Sequence, residues 1–124
     1  MGEKIVRLED LRVGDVVRVH WFDASEDTRQ LAKEEKTFDT PVQSYGAFLG
    51  TKGLRTKHAI IAKEIVVCSR TFHYNVIPIG MIEKIVLLNQ KDLPENLLDN
   101  LAQAVASASI KKLKIGKAGG WFTY

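Results

Sequence analysis

The chain has 124 residues, enough for one domain with a hydrophobic core and too few for two of ordinary size. Charged residues make up 27% of it and hydrophobic residues 45%, which excludes dominant disorder and suits a globular protein. The net charge of +3 is only mildly basic, no apolar stretch reaches the roughly 18 to 20 residues of a membrane helix, and Met1–Asp10 carries no apolar leader, so a cytoplasmic protein that engages no membrane is the expectation.

Leu8, Leu11 and Val13 anchor the opening segment ahead of Gly14-Asp15, a turn that launches the first strand. From Val16 to Phe22, Val17, Val19 and Trp21 fall on one face and Arg18 and His20 on the other, the alternation of a half-buried strand. Residues 26–36 carry charges with Leu31 and Ala32 as their only apolar residues. That suits a solvated loop or a short helix, which Ser25–Thr28 would cap.

Pro41 to Leu49 reads as a second strand, with Gly46 marking a bend or a close backbone approach. Gly50–Gly53 supplies turn chemistry. His58 to Val67 reads as a third strand, bulged or bent near Lys63-Glu64. Cys68, the only cysteine, can form no intrachain disulfide and follows an apolar run, so it is expected to be a small buried hydrophobe. Phe72 to Ile79 is the hairpin partner, with Pro78 at its end, where the missing N–H costs nothing. A Pro-Ile-Gly turn too short to loop leads into the fifth strand, Met81 to Leu88.

The period then changes. Asp92-Leu-Pro-Glu95 has capping-box spacing, and Leu97, Leu98, Leu101, Val105 and Ala108 recur at helical spacing on one stripe. Burying each large aliphatic side chain is worth roughly 1.5 to 3 kcal/mol, so this stripe must dock, either on its own barrel or on another subunit. Lys111, Lys112, Lys114 and Lys117 follow the last acid, Asp99, and form a basic tail suited to phosphates, an acidic partner or water. The chain ends on Trp121-Phe122-Thr123-Tyr124.

A strand, one tight turn and another strand usually close a small β-barrel. The expectation is therefore a mainly β protein, with a five-stranded SH3-like or Sm-like barrel over residues 1–90 and a C-terminal amphipathic helix and tail over 91–124. Its inner side is filled by Val19, Trp21, Ile61, Ile77 and Ile85.

Trp21, Asp23, Ala24, Gly46, Ile61, Ala62, Ile77, Pro78, Gly80, Ile82, Ile85 and Leu88 together resemble the W-x-D-A and I-P-x-G-x-I pattern of small proteins encoded in bacteriophage and prophage genomes. The likeness covers about residues 16–88 and implies a β-barrel of viral or mobile-element origin, without naming a reaction. The tight turn between the last two strands is also similar to that of Sm-like proteins, which form rings that bind RNA. Here Ile79-Gly80-Met81 stands in place of their charged turn.

Catalytic chemistry finds little to work with. His20, His58 and His73 have no metal-ligand spacing, although His58 and His73 could approach across a hairpin. Asp15 and Asp23 would lie about 25 Å apart along one strand. No serine sits in a glycine elbow. With no cofactor motif and no small-molecule substrate indicated, the sequence reads as a non-enzymatic binding module.

Two functions follow. In the first, Lys52, Arg55, Lys57 and the lysines at 111, 112, 114 and 117 bind the phosphates of DNA or RNA, and aromatics such as Phe22 and Tyr45, expected on the outside, stack on bases. In the second, Leu97, Leu98, Leu101, Val105, Trp121 and Phe122 dock on a neighbouring copy to build a homo-oligomer.

Overall fold

Runs of β-branched and aromatic residues with period two dictate a sheet, and the computed structural model, which describes residues 2–23, 40–89, 94–108 and 120–124, is mainly β. Its strands are β1 (Lys4–Val6), β2 (Val16–Asp23), β3 (Thr40–Lys52), β4 (His58–Val66), β5 (Thr71–Pro78), β6 (Ile82–Asn89) and β7 (Gly120–Thr123), and the helix among the described residues is α1 (Glu95–Ser107). All these pairings are antiparallel, and the sheet runs β1-β6-β2-β3-β4-β5-β7.

This corrects the five-stranded closed barrel. Closure of five strands would require β5 and β6 to pair. Instead β1 takes the free edge of β6 at Ile85–Leu87, and β7 takes that of β5 at Thr71–Tyr74. The sheet is therefore open, with seven strands among the described residues, and the helix is not the last element. The sheet must nonetheless curl, because β5 and β6 lie four places apart in strand order and are joined only by a single 3-10 turn, Ile79–Met81.

Curling separates two apolar faces. The concave face gathers Val17, Val19, Trp21, Phe48, Ala59, Ile61, Ile77 and Ile85, which includes all five residues expected to fill the inside. The opposite face carries Leu49, Ile60, Phe72, Tyr74 and Val76, and α1 lies across it with Leu98, Leu101 and Val105 buried. The alternation in β2 holds, with Val17, Val19 and Trp21 buried and Arg18 and His20 only partly so.

Gly14 permits this docking. Its φ of 101° lies in the left-handed region, and a Cβ there would sit 2.9 Å from the methyls of Leu98. Lys52 secures the other end of α1 by donating from Nζ to the Ala106 carbonyl in the last turn. At the N-terminus, Pro94 occupies the cap position without a side-chain hydrogen bond. Asp92 of the expected capping box lies outside the described residues, as do the segment 26–36 and its Ser25–Thr28 cap.

Three local expectations change. Gly50–Lys52 is not a turn but the end of β3, reached through a register shift between Phe48 and Gly50, and the turn moves to residues 53–57. Cys68 is exposed rather than buried, because β4 ends at Val66 and the thiol falls in the following turn. His58 and His73 do not approach one another: His58 pairs with Pro78 and His73 with Glu64, at opposite ends of the hairpin. The irregularity expected at Lys63-Glu64 is present as a register shift between Ala62 and Glu64.

Among the described residues, no helix is long and apolar enough to cross a membrane.

Candidate nucleic-acid interface

The β3–β4 hairpin is chemically one-sided from its tip to the point where the strands part, and the first acid of β4 is Glu64 beyond it. From Thr40 to Lys63 the chain holds Lys52, Arg55, Lys57 and Lys63 and not one Asp or Glu. The two strands pair only between Ala47 and Lys52 on β3 and between His58 and Ala62 on β4. Beyond that stretch, the first half of β3 pairs with β2, and the second half of β4 continues along β5. The hairpin therefore has a tip at one end and a fork at the other.

At the tip, Arg55 and Lys57 are exposed and form no ion pair among the described residues. Leu54, between Gly53 and Arg55, is 99% exposed. A hydrogen bond from Ile79 N–H to the Lys57 carbonyl, 3.0 Å long, ties the tip to the turn between β5 and β6. Lys52 is the exception among the expected phosphate ligands, since its ammonium is engaged at the C-terminus of α1. The lysines at 111, 112, 114 and 117 lie outside the described residues.

At the fork, Gly46 marks the vertex. A Cβ on it would lie 2.1 Å from the Ala62 carbonyl oxygen, so the close backbone approach expected of this glycine is real. The diverging strands leave a cavity of about 500 Å³ lined by Trp21, Val42, Ser44, Tyr45, Lys63 and Asn75, together with Asp23 and Gln43. Trp21 donates from Nε1 to Ser44 Oγ at 3.0 Å. Asn75, which lines the cavity, is only 4% exposed, and its side chain forms none of the hydrogen bonds seen among the described residues. Two residues along β5, on the same face, His73 stacks on Trp121 with ring centroids 5.0 Å apart and planes 24° from parallel. The Trp121 indole is 55% exposed. Two fully enclosed polar atoms also lack a partner among the described residues, His58 Nδ1 and the Tyr124 hydroxyl, and neither borders the fork.

On the outer face of β2, Arg18 donates to a carboxylate oxygen of Glu3 and, through Nε, to His20 Nε2 at 2.8 Å. The hydrogen bond from Arg18 holds the Glu3 carboxyl below its ordinary range, and Glu3 in turn raises the Arg18 guanidinium. Tyr45 lies opposite Arg18 in the ladder and is exposed, as expected; Phe22 is half-buried.

The residues expected at an oligomer interface divide. Leu98, Leu101 and Val105 are buried within their own chain, Leu97 and Phe122 pack against the same core, and the Phe122 ring lies 5.6 Å from that of Phe72. Only Trp121 of the six remains available. Sequence reasoning did not single out Asn75, Ser44 or His73 as parts of one site. The signal existed only in the register, because these residues meet where two strands separate. Comparison with protein families, curated proteins and solved structures finds no match to this chain.

Proposed function

We propose that this protein is a non-enzymatic small β module that binds nucleic acid, with the β3–β4 hairpin meeting the phosphates. The carrying observation is the run from Thr40 to Lys63, which holds four cations and no acid and presents Arg55 and Lys57 at an exposed tip. Paired surface cations do little for a polyanion, whereas unpaired ones displace condensed counterions. Lysines 111, 112, 114 and 117 would add to the same electrostatic attraction. The curled strands β2 to β6, with a three-residue link between the outermost two, support reading this part as an open variant of an SH3-like or Sm-like barrel. A viral or mobile-element origin rests on the resemblance carried by Trp21, Asp23, Ile77, Pro78 and Gly80.

The test is binding of labelled single- and double-stranded DNA and RNA across a salt series. Affinity should fall log-linearly with salt, and R55E/K57E should make the slope shallower by about 0.7 to 0.9 for each phosphate no longer neutralised. Absence of binding at low salt contradicts the reading. The alternative, assembly of a homo-oligomer, is left without most of the apolar stripe it needs, since α1 docks in cis and, of the six residues expected at that interface, Trp121 alone stays exposed.

A further inference from the structure

We propose that the fork between β3 and β4 is a pocket for one unpaired nucleobase, read by the carboxamide of Asn75, so that the preferred ligand is single-stranded; this rests on the nucleic-acid reading above.

Buried polar groups in folded proteins are almost always hydrogen-bonded to protein or to ordered water. Asn75 finds no protein partner among the described residues. It is nearly fully buried on the concave face between His73 and Ile77 and lines the cavity, so a ligand there can reach it where bulk water scarcely does. A cavity of about 500 Å³ lies within the range of roughly 300 to 1,000 Å³ typical of small-ligand sites.

Parts of the remaining wall, which Asp23, Gln43 and Tyr45 complete, suit a flat heterocycle. Trp21 and Val42 supply apolar surface. Ser44 Oγ already accepts from the Trp21 indole and keeps its own O–H to donate. The Asn75 carboxamide presents an acceptor and two donors in one plane, which matches a base edge carrying a neighbouring donor and acceptor. Lys63 stands exposed at the rim, placed for the phosphate of the inserted nucleotide, and the exposed Trp121 face, supported from behind by His73, offers the next base a stacking platform. A duplex base would first have to leave its stack.

The experiment uses the full chain with labelled homopolymers of each base and a duplex of equal length, at one low salt concentration and across a salt series. Wild type should prefer single strands and discriminate among the bases. N75A should bind the preferred base about tenfold more weakly and show no base preference, with its salt slope unchanged. R55E/K57E should do the reverse, lowering the slope while keeping the preference. Thermal unfolding of N75A should match wild type, because the amide makes no hydrogen bond that the fold would miss. Unchanged base preference in N75A overturns the pocket and leaves the hairpin reading intact. A lowered melting temperature together with retained preference assigns Asn75 to the core and also overturns it. No binding of any nucleic acid at low salt overturns both.

Discussion

The two faces of this one sheet are finished differently. On the convex face, α1, Phe122 of β7 and Tyr124 pack against the core of Leu49, Ile60, Phe72, Tyr74 and Val76, and Lys52 is consumed in holding the helix end. On the concave face, Val17, Ile61 and Ile77 are fully buried in an apolar cluster, but where β3 and β4 part it gives way to Asn75, Ser44 and a cavity. Side chains from a docked helix cover the first face, with a cavity of about 450 Å³ at its margin beside Leu97 and Tyr124. The cavity of the second face opens between two strands of the sheet itself, where Trp21 and Val42 meet the polar Ser44, Asn75 and Lys63, a mixture of apolar wall and a few polar groups that suits a ligand site.

The largest effect expected from disrupting this contrast is on the convex side. Leu101→Ala removes a fully buried side chain from under α1 and should cost about 2 to 5 kcal/mol in chemical denaturation. A cost near zero would mean that the helix does not dock in cis. Gly46→Ala strikes the vertex that both faces share. Because the added Cβ meets a backbone carbonyl rather than a yielding side chain, the expected loss is about 3 kcal/mol, read as a lower midpoint in urea. Trp121→Ala probes the concave side: the half-exposed indole should contribute little to stability, while single-strand affinity falls by about 1 to 3 kcal/mol if it stacks a base.

The smallest effect concerns the outer face. The Glu3 carboxyl titrates below its ordinary value because Arg18 donates to it, so its contribution is present at neutral pH and is lost as pH falls through that lowered value. Urea midpoints of wild type and Glu3→Gln, measured from neutral pH downward, should converge in acid. Parallel curves would show that the pair contributes nothing.

Much of this was legible in the residues. Period-two alternation placed Val17, Val19 and Trp21 inward, the Ile-Pro-Ile-Gly run located the turn between β5 and β6, and the Leu97 to Ala108 stripe located α1. Gly46 pointed to a bend or a close backbone approach, and the close approach is present. What could not be read was the pairing at the sheet margins. β1 has only Lys4, Ile5 and Val6, too short for any period to register, and β7 is four residues that follow a glycine and look like an aromatic tail. Those two short strands occupy the edges that closure of a barrel would have used, so three or four residues at each margin decide between a closed barrel and an open sheet. The fork was hidden for a related reason: it depends on where a long β3 changes partners from β2 to β4, a property of register rather than of composition.

The cationic tip of the β3–β4 hairpin and the fork at its base should together hold single-stranded nucleic acid, and the affinity of the full chain for a single-stranded oligonucleotide and for the matching duplex over a salt series decides whether they do. Binding should be tighter to the single strand, with affinity for both falling log-linearly as salt rises. Equal or tighter binding to the duplex, or no binding to either at low salt, would contradict this reading of the molecule.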